Sequence, residues 1–599
     1  MSPFSRQALP PGVATSADLD VWPEGLLASI FEVGDDEEQA RIVRFSSHFK
    51  RTVLMSSDYS GYWGDREALT LLAEACLRMY NWDLQPQITW VRACDFNPVC
   101  RQVIKDAYGP YDHRAQPIGA EPSKKACILV NLLHRIPKVA SDWIDAARPA
   151  KQASVQEAVA AHQDIFEWLD ANKLWVFPAD AVSQCVTCGQ ECFVQPLLKM
   201  YPEKYQHLIS GGDPPSKKAR TEQPWTRPLV INCSGTTCTG WTPAGKCLRQ
   251  ADPSEIPHAV YVLDRMRSAQ LELEDAFIQE NSAFYDYMVK IKKPLEQTHG
   301  IIKVVWGPIK GGFPVRRERS YMAGWNKKTM AWVGPETDED VQAHFASFFA
   351  RDVVSDFSIY CRSSPADTQR ELARLAVTRG HHIGDNDLSG LSPWEMRATV
   401  LCPGALLRHQ QHDSSRGDTV PWICDLDQHN DGGASTPGRQ MPAHLTHGQM
   451  WAWLANGIER PVDAVESFYA HGHMMFPGSP YGSRLARALP SLSEGSRKHL
   501  VGNGYHLPSM ASWQLYVMSH LVHLRDVVAH PGLNLDLGGD EDRRSDATDL
   551  FDFDESDQAV EPNEQAEPNE QGESNEQAES SHAVSDEPSE SGEQVEIRE

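Results

Sequence analysis

The sequence lacks the features of a secreted or membrane protein. Its 599 residues contain no apolar run long enough, about 18 residues, to form a membrane-spanning helix. The opening segment, MSPFSRQALPPGVATSADLD, has no apolar signal core, so we expect no secretion signal. The 13 cysteines are scattered rather than closely spaced, which favours reduced thiols over a disulfide framework. These absences predict an intracellular protein.

Basic residues are too few to balance the acidic ones, but the imbalance is local. Of the formal net charge of -26, residues 541–599 carry 21 Asp and Glu and three Arg, a net of -18. The same segment contains the imperfect repeat EPNEQA, EPNEQG, ESNEQA from Glu561 to Ala578 and almost no apolar residues. Such a composition cannot offset the entropy of ordering, so we predict a disordered acidic tail. The tail is a candidate binding site for chromatin partners. It is also a candidate intramolecular competitor of nucleic acid for basic surface on the same chain.

A second polar interruption lies at residues 209–225, ISGGDPPSKKARTEQPW. Glycine, proline and lysine cluster there, which is typical of an exposed loop. The SKKAR core is similar to a short nuclear-import signal, and a solvated basic loop is the alternative. We therefore predict a nuclear location, with the cytoplasm as the alternative.

The chain between these interruptions alternates strand-like and helix-like segments. RTVLMSSD is followed by the glycine turn and amphipathic helix of YSGYWGDREALTLLAEACLRMYN, then by the strand QITWVRACD and the helix NPVCRQVIKDAYG. Strand, glycine turn, helix and a second strand ending in an acid predict a doubly wound α/β nucleotide-binding unit. Asp95 lies where such a fold places a carboxylate for ribose, and Phe96 offers a flat face for adenine.

Four further segments combine turn residues with reactive side chains. They are CSGTTCTGWTPAGK at 233–246, QENS at 279–282, GFPVRRERSYMAG at 312–324 and VGNG at 501–504. We expect VGNG to form a turn before a long amphipathic helix. We expect all four segments to face one crevice.

In type and order these segments resemble the motifs of the cytosine-5 DNA methyltransferase family. The 233–246 loop looks like the nucleophile loop of that family, QENS like its Glu-Asn-Val motif, the arginine segment like its Gln-x-Arg-x-Arg motif, and VGNG like its Gly-Asn motif. The resemblance spans about residues 53–523. It implies a Rossmann-like α/β methyltransferase domain that uses S-adenosylmethionine, with a smaller target-recognition domain and DNA as partner.

The chemistry of that family explains the residue types. A thiolate bonded to carbon 6 of cytosine makes carbon 5 nucleophilic enough to accept a methyl group, and Cys238 is the candidate thiolate. The ring needs a proton or strong hydrogen bond at nitrogen 3, for which Glu280 is the candidate. Arg317 and Arg319 are candidates to hold the carbonyl oxygen. Because carbon 5 is inaccessible in a stacked duplex, the base must be extruded.

The resemblance also implies the residues that bind S-adenosylmethionine. The candidates are Tyr59, Gly61 and Gly64 in the glycine turn, Asp95 and Phe96 after the second strand, Asn131 near the adenine, and Asn503 in VGNG.

The same resemblance divides the chain. The predicted units are an N-terminal extension at 1–50, a catalytic domain at 51–325 with an insertion at about 140–225, a target-recognition region at 326–440, a return to the catalytic domain at 441–530, and the tail at 531–599. Histidines and arginines in RGHHIGDN and LLRHQQHDSSRGD are candidates for contacts with phosphates or base edges.

Three positions depart from the family pattern. Thr237 stands in place of proline, Thr239 in place of glutamine, and Val315 in place of the glutamine before the arginines. The substituted loop and the acidic tail leave open a degenerate fold that only binds DNA or chromatin. An enzyme that methylates RNA cytosine is a second alternative, because motifs selected by carbon-5 chemistry need not distinguish DNA from RNA.

The predicted insertion contains three closely spaced cysteines in CVTCGQEC, namely Cys185, Cys188 and Cys192. Two cysteines separated by two residues on a turn are typical of a zinc knuckle, but a structural zinc site needs four ligands. His207 or a distant residue would have to supply the fourth. We therefore predict no metal and three free thiols, with structural zinc as the alternative.

Overall fold

The computed structural model describes residues 10–108, 126–210, 226–242, 247–378, 421–425, 438–446, 448–455 and 458–529. These residues belong to one compact unit, Met1–Leu535. The SKKAR segment, the two segments rich in histidine and arginine, and the acidic tail lie outside the described residues. Within the described part, no helix is both long and apolar enough to cross a bilayer.

Seven of the strands form the central sheet. Their bounds are β1 Val53–Asp58, β2 Ile88–Cys94, β3 Cys127–Leu129, β6 Leu229–Gly235, β7 Ala276–Ser282, β8 His299–Trp306 and β9 Arg319–Asn326. They lie in the order β3-β2-β1-β6-β7-β9-β8. The pairs from β3 to β7 are parallel, whereas β9 runs antiparallel to both β7 and β8. The Rossmann-like α/β fold predicted from the sequence is confirmed.

The remaining strands form three small sheets. They are the hairpin β4 Val182–Gln184 with β5 Glu191–Phe193, the pair β10 Met330–Trp332 with β14 Leu521–His523, and the three strands β11 Trp422–Asp425, β12 Met450–Trp453 and β13 Glu459–Pro461.

The helices surround the central sheet. Those of the first half are α1 Ser16–Leu19, α2 Trp22–Phe31, α3 Glu38–His48, α4 Gly64–Tyr80, α5 Pro98–Tyr108, α6 Lys138–Ala147, α7 Val155–Ala171, α8 Lys173–Val176, α9 Pro196–Met200 and α10 Gln206–Ser210. Those of the second half are α11 Glu255–Gln270, α12 Lys293–Leu295, α13 Asp338–Phe349, α14 Pro365–Thr378, α15 Ala464–Ala470, α16 Leu485–Ala488, α17 Glu494–Asn503, α18 Leu507–His520 and α19 Leu524–Ala529. Single turns of 3-10 or π helix lie at Gln85–Gln87, Leu132–Arg135, Pro202–Lys204, Arg249–Ala251, Met288–Lys292, Pro308–Lys310, Phe357–Tyr360 and Leu489–Ser491.

Burial along the strands explains their places in the sheet. Every residue of β1, β2 and β7 is buried, as expected for strands covered by helices on both faces. Buried and partly exposed residues are mixed along β8, which lies at the edge of the sheet. The apolar runs VLM and ITWV therefore occupy the centre because both of their faces can be covered.

The sheet reverses its order between β1 and β6. From β1 the chain proceeds to β2 and β3 on one side, and β6 and β7 lie on the other side. In open sheets of this kind, a ligand crevice forms at the carboxyl ends of the strands beside such a reversal. The glycine turn after β1 and the cysteine loop after β6 both begin there.

The prediction for VGNG was wrong in its local structure. Gly502 and Asn503 close α17, and the turn begins at Gly504. The following helix, α18, is buried along its whole length rather than amphipathic, because α3 and α4 pack against it. The glycine and asparagine signal misled because a helix can also end on these residues.

Both flanks of the predicted catalytic domain pack onto it. Arg44 of α3 donates to the Ser519 carbonyl at 2.8 Å, and a ring nitrogen of His48 lies 3.0 Å from the Met518 carbonyl. On the other flank, β10 pairs with β14, and α13 packs against β8. The domain boundaries drawn from the sequence stay predictions.

Candidate active site

The glycine turn after β1 is held in a strained backbone conformation. Tyr59, Gly61 and Trp63 have φ values of 51°, 53° and 69°, all in the left-handed region. Such values are costly for the tyrosine and tryptophan, and they are found where the surrounding structure fixes a functional loop. The turn leads into α4 at Gly64. The Tyr59 hydroxyl is buried and has no hydrogen-bond partner among the described residues.

Asp95 joins this turn to the end of β2. The Gly61 N–H donates to Asp95 Oδ2 at 2.8 Å, and the Asn97 N–H donates to Oδ1 at 2.8 Å. Burial raises the pKa of Asp95 to about 6, although these backbone hydrogen bonds lower it. The ring of Phe96 beside it is 69% exposed. A fixed carboxylate next to an open aromatic face is compatible with a ribose and an adenine, and these two roles stay predictions.

The two candidate asparagines occupy different positions in the crevice. Asn131 follows β3 in the chain. Its side chain caps the next helical turn, because Oδ1 accepts a hydrogen bond from the Leu133 N–H at 3.1 Å. Asn503, at the end of α17, lies with its Nδ2 3.1 Å from His499 Nε2. Asn97 Nδ2 approaches the same His499 nitrogen at 3.1 Å. Asn503 is thereby connected to the Asp95 turn, whereas Asn131 acts as a cap.

The cysteine loop is anchored by side chains of β7. Thr236 Oγ1 accepts from Gln279 Nε2 at 2.6 Å and from Asn281 Nδ2 at 2.7 Å. Asn281 Nδ2 also donates to the Thr236 carbonyl at 3.1 Å. Cys238 follows two residues later, where its carbonyl accepts the Trp241 N–H at 2.9 Å. Hydrogen bonds from β7 therefore fix the loop that positions the thiol.

Cys238 is half-buried, and the groups around it shift the pKa of its thiol in opposite directions. Burial raises the pKa of the Cys238 thiol. The guanidinium of Arg319 lowers that pKa, the carboxylate of Glu280 raises it, and Arg317 lowers it. All three charged groups identified from the sequence therefore influence the pKa of this thiol.

Glu280 and Arg319 form an ion pair at the side of the loop. Arg319 Nε lies 3.1 Å from Glu280 Oε1. The register of the sheet explains their approach, because Gly235 of β6 faces Glu280, and Arg319 begins β9 opposite Ser282. Glu280 is 8% exposed, so this pair is largely removed from water. A carboxyl and a guanidinium at this position can recognise adjacent acceptor and donor atoms of a polar ring.

Arg317 faces the end of α17. Its Nη1 donates to the Gly502 carbonyl at 3.4 Å, and its Nη2 donates to the Gly504 carbonyl. Burial, assisted by Arg319, lowers the pKa of Arg317 to about 10. The structure therefore gives Arg317 a positioning contact that joins the arginine segment to VGNG, and leaves Arg319 as the arginine paired with Glu280.

Tyr505 explains two of the glycines around the crevice. A Cβ on Gly235 would lie 2.5 Å from the Tyr505 hydroxyl oxygen, and one on Gly64 would lie 2.8 Å from Tyr505 Cδ2. The tyrosine ring thus packs over the start of the cysteine loop and over the start of α4. Gly64 is required for this packing, and its predicted role in cofactor binding stays a prediction.

Replacing Gly235 by alanine should lower the free energy of unfolding by about 1–3 kcal/mol, because the new methyl group overlaps Tyr505. Adding Tyr505→Phe should recover part of the loss, since the hydroxyl oxygen is the nearest atom, 2.5 Å away. Gly25→Ala is the control because nothing lies within 4 Å of its Cβ position. Denaturant unfolding measures the three effects. Equal stability of Gly235→Ala and wild type would contradict the packing.

The sequence did not identify several residues that build the site. Gln279 and Asn281 flank Glu280 in QENS. Residues two apart on a strand point to the same face, so this spacing indicates that both amides face the same neighbour. No local signal pointed to His499 or Tyr505. Their roles depend on the close approach of α17 and its following turn to β1 and β6.

The three cysteines of the insertion lie together, on the hairpin formed by β4 and β5. A fourth cysteine, Cys127 of β3, joins them, whereas His207 does not. No local pattern selects Cys127, because it precedes Cys185 by 58 positions.

Comparison with known proteins gives structural similarities only. No family model and no curated protein matches the sequence. Among solved structures, an Entamoeba histolytica methyltransferase is 10% identical, with coverage of 78% of this chain and 98% of the other and a TM-score of 0.35. A Spodoptera frugiperda DNMT2 variant is 12% identical, with coverage of 78% and 99% and a TM-score of 0.34. The S. pombe Dnmt2 methyltransferase is 12% identical, with coverage of 78% and 98% and a TM-score of 0.33.

Proposed function

We propose that the chain is a DNA cytosine-5 methyltransferase that uses S-adenosylmethionine. One observation carries the proposal. The Cys238 loop, which begins at Gly235 opposite the Glu280–Arg319 ion pair, and the Asp95 turn flank the same reversal point of a Rossmann-like sheet. A nucleophile and a nucleotide-binding carboxylate at the same crevice suit transfer of a group to a ring.

The residues of the cofactor side fit S-adenosylmethionine. Asp95 is a fixed carboxylate for ribose hydroxyls, and the exposed ring of Phe96 can cover an adenine. The buried Tyr59 hydroxyl, without a partner among the described residues, can hydrogen-bond to a bound molecule. When bound, S-adenosylmethionine supplies an electrophilic methyl group. Gly61, Asn131 and Asn503 are further candidates for contacts with the cofactor.

The residues on the nucleophile side suit the activation of cytosine. The Cys238 thiolate forms a bond to carbon 6, and the electron pair of the ring's 5,6 double bond becomes available at carbon 5. Glu280 supplies a proton or hydrogen bond at nitrogen 3, and Arg319 holds the carbonyl oxygen as negative charge develops. Once carbon 5 carries the methyl group, a water molecule takes its proton, the electron pair restores the 5,6 double bond, and the thiolate of Cys238 departs. Arg317 keeps the arginine segment against α17 during these steps.

Methyl transfer to defined polymers tests the proposal. Labelled S-adenosylmethionine would be incubated with cytosine-containing duplex DNA, with RNA of the same sequence, and with DNA in which every cytosine is 5-methylcytosine. We expect label only in the first. Label only in RNA would assign the RNA substrate instead. Label in none, with DNA binding retained, would favour a degenerate binding module, for which the threonines at 237 and 239 are the motivation.

The affinity for S-adenosylmethionine should fall in mild acid. Because burial raises the pKa of Asp95 to about 6, its carboxylate is ionised at pH 8 and mostly protonated at pH 5. Loss of the charged acceptor should weaken binding by up to about tenfold at pH 5. Asp95→Asn should bind weakly at both pH values. Calorimetric titration at pH 5 and 8 measures this difference, and equal affinities of the wild type would exclude the role of Asp95.

Nuclear location and chromatin partners of the acidic tail are further parts of the proposal. Replacement of Lys217 and Lys218 should reduce nuclear accumulation if SKKAR is an import signal. Unchanged accumulation would exclude it.

A further inference from the structure

Four cysteine sulfurs from two parts of the chain converge at the β3 edge of the central sheet. Cys127 begins β3, and the other three, Cys185, Cys188 and Cys192, belong to the β4–β5 hairpin of the insertion. All four sulfur atoms lie within 4.8 Å of one another. No other group of three or more potential metal ligands occurs at such spacing within the described residues.

We propose that these four cysteines bind one structural zinc ion. Tetrahedral zinc with sulfur ligands at about 2.3 Å requires sulfur atoms about 3.8 Å apart. Cys127 Sγ and Cys188 Sγ are 3.8 Å apart, far beyond the length of a disulfide bond. Four thiolates without a nitrogen or oxygen ligand, in a closed set, suit a structural zinc site rather than a catalytic one.

The turn of the hairpin has the backbone geometry of a metal-binding knuckle. Gly189 has a φ of 69°, and its N–H donates to the Cys185 carbonyl at 2.9 Å. The Cys188 N–H points at Cys185 Sγ, 3.4 Å away. A backbone donor directed at a sulfur stabilises a thiolate, which is the form that binds a metal. Glycine follows the second cysteine because the turn requires this positive φ.

A cation lies beside the cluster. Lys199 Nζ, from α9, donates to Cys127 Sγ at 2.6 Å. Zinc bound by four thiolates carries a net charge of -2, so a neighbouring ammonium offsets part of the charge buried at this site. Cys127 and Cys185 are buried, whereas Cys188 is exposed and offers an entry path for the ion.

The metal would fasten the insertion to the sheet. Cys185 forms a β-bridge with Leu129, and the Val186 N–H donates to the Ile128 carbonyl at 2.8 Å. β3 ends two residues before Asn131. Zinc would therefore fix both the hairpin and the strand that leads to the candidate adenine side of the crevice. The inference does not depend on the proposed methyl transfer.

Metal analysis of the purified full-length chain tests the site. After expression in zinc-supplemented medium and purification without chelators, we expect about one zinc per chain and an X-ray absorption spectrum of four sulfurs at about 2.3 Å. Cys127→Ser and Cys188→Ser should each reduce bound zinc about tenfold or more. Cys247→Ser is the matched control, because this exposed cysteine lies outside the cluster.

Three results for the wild-type protein would overturn the assignment. They are less than about half an equivalent of zinc in the wild type, a spectrum dominated by nitrogen or oxygen ligands, and iron in place of zinc. If the serine variants do not fold, the stoichiometry and spectrum of the wild type still decide. Loss of zinc in Cys247→Ser but not in Cys127→Ser would place the metal elsewhere.

Discussion

Replacing Cys238 by serine should lower the rate of methyl transfer by about 10⁴-fold or more, with little change in the affinity for S-adenosylmethionine. Serine keeps the size of the side chain but is a far weaker nucleophile than a thiolate. The candidate cofactor residues Tyr59, Gly61, Asp95 and Phe96 lie in the turns after β1 and β2, whereas Cys238 follows β6. A loss confined to the rate would separate the nucleophile from the binding of the methyl donor.

The matched control is Cys247→Ser. Cys247 is also a cysteine after β6, but it is exposed. This variant should retain the wild-type rate, because its thiol has no role in the proposed reaction. Equal rates for Cys238→Ser and wild type would exclude covalent catalysis by Cys238. If Cys238→Ser lowers the free energy of unfolding as well as the rate, the substitution has a structural effect instead.

Replacing Asp58 by asparagine should lower the free energy of unfolding by about 3–5 kcal/mol. Asp58 ends β1, is fully buried and contacts several guanidinium groups. Arg92 Nη1 lies 2.5 Å from its Oδ1, and Arg135 Nη2 contacts the same oxygen. Removing the carboxylate leaves these cations buried without their main counter-charge, which costs more than the pair itself contributes.

Asp58 belongs to a buried ionic network below the crevice. The members are three carboxylates and three guanidinium groups, Asp58, Asp264, Glu274, Arg92, Arg135 and Arg265. Burial alone would raise the pKa of Asp58, but the guanidinium groups outweigh burial and hold that pKa below its ordinary value of 3.8. The stabilisation contributed by the Asp58 carboxylate is therefore present above about pH 4, the range of its pKa in the unfolded chain, and is lost as the pH falls further.

Denaturant unfolding at pH 7 measures the effect of Asp58→Asn. Asp142→Asn is the control, since Asp142 pairs with Lys138 at 2.8 Å on the surface of α6 and should change stability little. The two substitutions remove the same charge and differ in burial. Similar stability of both variants would contradict an ionic network that supports the end of β1.

The local order of the first half of the sheet could be predicted from the sequence. β1, α4, β2 and α5 each carry their own signals, namely an apolar run, a glycine turn or an amphipathic repeat. Asp95 can be selected for the same reason, because folds of this kind place a ribose-binding acid after the second strand, and this role stays a prediction. Cys238, Glu280 and Arg319 were found through ordered motifs, and the structure brings them together.

Contacts between distant segments could not be predicted. The sequence predicts a turn at Gly502 and Asn503, because glycine and asparagine are weak helix formers, but these residues close α17. The arginines around Asp58 come from β2, from the turn after β3 and from α11, and no local pattern pairs them. Cys127 is a further example. Only the pairing of the insertion with β3 brings it close to the three hairpin cysteines.

Trapping of a covalent complex addresses the proposed chemistry at its reacting atom. Fluorine at carbon 5 of cytosine cannot leave as a cation, so the thiolate bond to carbon 6 should persist after methyl transfer. With S-adenosylmethionine and DNA containing 5-fluorocytosine, we expect a complex that resists denaturation, with the linkage mapped to Cys238. The proposal would be contradicted if no such complex formed with either DNA or RNA. It would also be contradicted if the Cys238→Ser variant still formed the complex.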